Sequence, residues 1–210
     1  MFIGLVAGYL ITFLADKFSP REKNRLAPLF YLFFTTAVFV GLGYKFGFTA
    51  QFAVYSVFSI CLITAGIVDL RIYILPNAIN AIGIAAAFMI SLIYSINTSN
   101  LGPVWEFFIG GAACGIPFFV IKLLSKRGMG MGDVKFAVLI GSFLGIINGL
   151  CALWLSIVFG GVFGAIMIAA KKATRKTRIP FGPFMVLGAL AMVFFGDFIR
   201  SVVFGAWNHA

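Results

Sequence analysis

Two aspartates, Asp69 and Asp133, are the residues of this sequence best placed to do chemistry. The chain holds six acidic residues in 210, and these two stand where a carboxylate is hardest to keep. Asp69 ends the apolar run Thr64-Ala-Gly-Ile-Val-Asp69, and Leu-Arg-Ile-Tyr-Ile-Leu-Pro76-Asn77 continues it. A carboxylate within or at the edge of hydrocarbon costs about 2.5–3.5 kcal/mol on insertion scales, and such residues mark function by default. Asp133 closes Gly128-Met-Gly130-Met-Gly132-Asp133. Three alternating glycines clear side chains from a strip of backbone, so an extended substrate can approach it. Brought close, two carboxylates titrate as a pair, one charged and one protonated. Such a pair can deprotonate a water and protonate a peptide carbonyl or leaving amine. Taken singly, each has a plainer explanation. Asp69 can pair with Arg71 or Lys135, and Asp133 can cap a helix.

The remaining polar residues offer less. Asp16 and Glu22 stand in a basic loop and balance its charge, Glu106 suits the positive end of a helix dipole, and Asp197 has Arg200 three positions on for an ion pair. The single histidine, His209, falls at the extreme C-terminal end, so no Ser/His/Asp set competes and there is no H-E-x-x-H. Cys61, Cys114 and Cys151 lie in separate apolar segments, with no C-x-x-C, and read as small buried residues; no metal site is expected.

The elements that must position the aspartates are membrane helices. The chain is 62% hydrophobic and 10% charged, against about 25% charged in soluble domains. Its 26 phenylalanines suit lipid-facing and interfacial positions. Eight segments are apolar enough to span: 1–15, 28–44, 50–68, 78–96, 105–124, 134–148, 150–169 and 183–203. The sixth is short, and Asn148-Gly149 is the turn signal dividing it from the seventh, a pattern expected for one long hydrophobic hairpin. Small residues four apart, Gly4/Gly8, Gly111/Gly115, Gly141/Gly145 and Gly160/Gly164, predict close helix crossings. The expected fold is all-α, a bundle of about eight transmembrane helices forming a single domain over 1–210. Residues 1–15 read as a first span rather than a signal peptide.

Charge sets the expected orientation. Lys17, Arg21, Lys23, Arg25, Arg71, Lys122, Lys126, Arg127, Lys135, Lys171, Lys172, Arg175, Lys176 and Arg178 fall on one side, against Lys45 and Arg200 on the other. Under the positive-inside rule the first set is cytosolic, both chain ends are outside, and both aspartates belong to the cytosolic face. The net charge of +10 is thus a topology and anionic-lipid signal; no basic face with interleaved aromatics suggests nucleic acid.

At these residues the sequence resembles the type IV prepilin peptidases, membrane aspartic proteases of the GxGD type. Gly130-Met131-Gly132-Asp133 matches the GxGD motif and Val134-Lys135 its continuation. Asp69, followed by Leu75-Pro76, matches the first catalytic aspartate, with Asn77 where many members have Asp. Arg178-Ile-Pro180-Phe-Gly182-Pro183 resembles the C-terminal Ile-Pro-Phe-Gly-Pro segment. The resemblance implies removal of a short basic leader from prepilins or pseudopilins, next to a glycine, at the cytosolic face of the bacterial inner membrane. It implies Asp69 and Asp133 as the dyad, Gly128, Gly130, Gly132, Pro76 and Asn77 as the substrate groove, and Lys135, Pro180, Gly182 and Pro183 as supporting residues, the last three positioning the final helix. Proteolysis needs no cofactor. S-adenosylmethionine enters only if N-methylation is retained. Against retention stand a short 16–27 loop without the family's two C-x-x-C pairs, and Gly4-Leu-Val-Ala-Gly8-Tyr-Leu-Ile-Thr, which follows the N-terminal G-S-x-L-N pattern only loosely. Two rivals differ in class or substrate. A proton-coupled transporter also uses intramembrane carboxylates but favours inverted repeats, which are not seen, and a GxGD peptidase can act on preflagellin instead. Oligomeric state and the individual substrate are not legible.

Overall fold

A computed structural model describes residues 2–19, 27–124, 129–172, 174, 177 and 179–205. Every regular element among them is an α-helix: α1 Phe2–Phe18, α2 Ala27–Phe46, α3 Ala50–Ile72, α4 Asn77–Thr98, α5 Gly102–Leu124, α6 Met131–Ala169 and α7 Gly182–Gly205. Six of these, α2 to α7, are long and apolar enough to cross a membrane. The chain is a multi-pass membrane protein. Its outer surface is what a bilayer solvates: Phe13, Phe33, Leu124 and Phe198 are all exposed.

The expected count of eight spans meets six candidates among the described residues, because two expected segments fall within α6 and α1, 17 residues long, is not among the six. α6 is not straight. Gly145 has φ 74° and ψ −173°, a conformation that costs glycine little and other residues much. Two contacts show a reversal there. Ile179 lines one cavity with Asp133, yet it also faces Gly164, on the far half of the same helix. A Cβ placed on Gly149 would lie 3.0 Å from the Cα of Gly141, eight residues away, where a straight helix would separate them by about 12 Å. The turn therefore lies at Gly145 and not at Asn148-Gly149. Asn148 keeps helical structure, and Gly149 packs on Cys114 and Gly141. The first arm, 131–144, is about 21 Å long, short of the hydrocarbon thickness.

α3 is the buried centre. Its second half, from Phe58 to Asp69, is buried at nearly every position. One core joins all seven helices through Ile11, Val38, Leu62, Ile79, Cys114, Phe136 and Met185. Phe58 stacks on Phe143 with centroids 4.6 Å apart, locking α3 to the first arm of α6. The small-residue pairs act as expected except at the turn and at Gly164, which meets only Ile179. Gly4 and Gly8 lie on α2 at Thr36 and Leu32, Gly111 and Gly115 on Val138, Gly141 on Gly110 and Cys114, and Gly160 on Phe184. Gly145 instead bends the chain and has no neighbour in the direction of a side chain. The C-terminal end of α1, the end of α3 and the starts of α6 and α7 meet at one face, so residues 2 and 205 both lie toward the other.

Candidate active site

Asp69 and Asp133 line one cavity of about 480 Å³, formed where α3 ends and α6 and α7 begin. Asp69 sits in the last turn of α3 and is 5% exposed. That is the negative end of its own helix dipole, an unfavourable place for a carboxylate. The first residue of α7 offsets it: the Gly182 amide donates to Asp69 Oδ2 at 2.8 Å. A side chain at position 182 would put its Cβ 2.7 Å from that oxygen, so only glycine allows the approach. Gly182 was expected to orient the last helix; it touches the carboxylate itself. Pro183, next along, faces away from the dyad, toward an apolar recess with Tyr31, Gly66 and Leu70, whereas Pro180 lines the dyad cavity.

Asp133 is the third residue of α6, and its Oδ2 accepts the amide of Gly130 at 3.0 Å. This is the return half of a capping box, with the carboxylate at the favourable end of its helix. Capping does not withdraw Asp133 from the cavity, which it still lines. The ion pairs considered for Asp69 are not made. Arg71 pairs with Asp16 at 2.7 Å, and Lys135 Nζ donates to Asn77 Oδ1 at 2.8 Å. The Asp16 carboxylate is thus engaged by α3. Asp197 does pair with Arg200.

The segment joining α3 to α4 fixes the two walls. Tyr73 ends α3 in the left-handed region, φ 57°, with its amide donating to the Asp69 carbonyl at 2.8 Å. Pro76 is the residue before α4 and is extended, as its ring permits. Between them Leu75 is buried against Gly132, where a Cβ would meet the Leu75 Cβ at 2.9 Å. The missing side chain of Gly132 therefore admits Leu75, and Gly132 is helical rather than part of an extended strip. Met129 and Gly130 are the non-helical residues of the glycine motif that border the cavity. Gly128 and Arg178 lie outside the described residues, as do Trp207 and His209.

Asn80 was missed. It is fully buried on α4, one turn beyond Asn77, and its Nδ2 reaches the Gly132 carbonyl at 3.4 Å. An asparagine in an apolar helix was the available signal. Among the described residues no group of three or more His, Cys, Asp or Glu side chains gathers to hold a metal. What the arrangement offers is two carboxylates on a sheltered, half-polar cavity, each with one oxygen held and the other left for a water or a peptide.

Known proteins match this chain over most of its length. A family model described as the type IV leader peptidase family matches residues 56–165, which include both aspartates. The chain is 29% identical over 171 residues to the prepilin leader peptidase/N-methyltransferase of Bacillus subtilis (strain 168), covering 80% of this chain and 65% of that protein. It is 27% identical over 187 residues to the protein of that name from Xanthomonas campestris pv. campestris, covering 87% and 63%. For the one from Legionella pneumophila the identity is 29% over 181 residues, covering 82% and 60%. The chain thus spans less than two thirds of the length of these curated relatives. No solved structure gives a significant match.

Proposed function

Because the chain belongs to the type IV leader peptidase family, we propose that it is a membrane aspartic endopeptidase that removes the leader from prepilins or pseudopilins with an Asp69/Asp133 dyad. The observation that carries this reading is that both carboxylates line one cavity, each with a single oxygen engaged by a main-chain amide. One carboxylate, charged, takes a proton from a water. The other, protonated, donates to the scissile carbonyl and then to the leaving amine. The cavity lies at the ends of helices and not at mid-bundle, which favours a hydrolase meeting a peptide at the membrane face over a proton-coupled transporter.

The cluster of basic residues at the aspartate end supports a cytosolic placement of that face, with both described ends of the chain outside, and family membership supports the bacterial inner membrane. The two arms of α6 then form a hairpin that starts beside Asp133 and returns the chain to the same face, where Pro180 and the start of α7 complete the cavity. Met129, Gly130, Asn77 and Pro180 border the path of the extended leader junction. The matched relatives are also named N-methyltransferases. Our reading covers proteolysis alone, with S-adenosylmethionine required only where methylation accompanies it.

The test is cleavage of a purified prepilin by the full chain in lipid. Wild type should cut next to the leader glycine, and Asp69→Asn and Asp133→Asn should each reduce cleavage by at least about 10⁴-fold while remaining folded. Normal cleavage by either variant removes the dyad assignment.

A further inference from the structure

We propose that Arg71, clamped by Asp16 of α1, is a positioning residue for Asp69; the proposal rests on the proteolytic reading above. Residues two apart on a helix point about 200° apart, so Asp69 and Arg71 face opposite sides of the last turn of α3. Asp69 faces α7, while Arg71 reaches into the junction of α1 and α2. The Arg71 side chain is 4% exposed. Its Nη1 donates to Asp16 Oδ1 at 2.7 Å and to Ser19 Oγ at 3.3 Å, and the guanidinium lies 5.5 Å from the Tyr31 ring centre. A buried guanidinium held by a carboxylate, a hydroxyl and an aromatic face is committed to one geometry.

The placement makes this more than a bundle contact. Every residue that lines the cavity lies at position 69 or beyond, and α1, which packs against α2 and α3, bears on the site through the end of α3. The last turn of α3 carries Asp69 and also the Tyr73 amide bond that ends the helix. From Tyr73 hangs Leu75, whose seat on Gly132 sets how close α3 and α6 come. A last turn that frays would move Asp69 from Gly182 and lift Leu75 from Gly132 in one step. The separation of the two carboxylates would change while the substrate-contacting walls kept their residues. The expected signature is a fall in kcat with little change in KM.

The experiment uses the full chain in lipid nanodiscs, a purified prepilin, and hydrogen exchange of the segment 70–76. Arg71→Met and Asp16→Asn should each lower kcat about thirtyfold with KM within about twofold, and speed exchange in 70–76 more than in 131–136. The swapped pair, Asp16→Arg with Arg71→Asp, should recover most of kcat and restore slow exchange. If Arg71→Met does not fold, Arg71→Lys carries the test, since it keeps the charge but not the planar fork. Unchanged kcat in folded variants overturns the proposal. So does a loss of kcat with unaltered exchange in 70–76, or a loss carried by KM. Should wild type cut no prepilin, the proteolytic reading falls, while the exchange data still decide whether the pair holds the last turn.

Discussion

The two aspartates are held in opposite ways. Asp133 is supported by its own helix: it stands in the first turn of α6 and accepts an amide three residues back. Asp69 stands at the wrong end of its helix and is supported by the start of another, through an amide 113 positions away. The first arrangement forms as soon as α6 forms. The second exists only when α3 and α7 have docked, so it depends on the whole bundle. A pair built this way joins a locally fixed carboxylate to one whose position reports tertiary structure. Perturbing the two sides should therefore give unequal losses.

The largest loss after removing a carboxylate is expected at Gly182. An added methyl would sit 2.7 Å from Asp69 Oδ2 and 3.1 Å from its Cγ, and relieving that contact would move the carboxylate off the Gly182 amide. Overpacking and a lost charge-assisted hydrogen bond together come to about 3 kcal/mol, or roughly 100-fold in kcat/KM. Gly182→Ala assayed on a prepilin checks this; a loss below tenfold would mean that the amide contact is dispensable. Asn80→Leu comes next. It removes the long bond to the Gly132 carbonyl from a fully buried position, and an effect of about 1 kcal/mol, near fivefold in kcat, is expected. Lys135→Met follows. Its bond to Asn77 is solvent-exposed, and exposed pairs contribute about 0.2–1 kcal/mol, so a two- to fivefold change is expected, read most directly in KM.

The same local-versus-distant division explains what the sequence discloses. Asp69, Asp133, the Gly130-Met-Gly132 motif and the Leu75-Pro76 end of the α3 segment are short patterns whose meaning lies within a few residues. The helical segments follow from runs of apolar residues, and their boundaries agree within a few positions. The Gly182–Asp69 bond leaves no local trace, because nothing near either residue records the other. The sequence offers Arg71 the nearby Asp69, and the docking of α1 brings it Asp16. The α6 turn is misplaced for a different reason. Asn148-Gly149 is the stronger turn dipeptide, but Gly149 is needed for packing against Gly141 and Cys114, and that leaves Gly145 free to bend. Gly132 serves two ends: it lines the cavity, and its missing side chain also seats Leu75.

The smallest effect should fall on Gly130, and it decides the comparison. Like Gly182, it donates its amide to one of the two cavity carboxylates, and a reading from motifs alone would rank it higher. Its physical situation differs in each respect that matters. Its φ of −78° and ψ of 156° suit any residue, so alanine brings no backbone strain. An added Cβ would stand 3.3 Å from Asp133 Oδ2, tight but at an exposed position where a few tenths of an ångström of movement are available. The amide that holds Asp133 survives the change. Gly130→Ala should therefore keep kcat/KM within about threefold, under 1 kcal/mol. Set beside Gly182→Ala in the same assay, a ratio of thirty or so between two single methyl additions would measure how much more the distant support constrains its carboxylate than the local one. Equal losses would mean that the glycine motif contacts substrate at position 130, and that the asymmetry between the two aspartates is one of construction without consequence for catalysis.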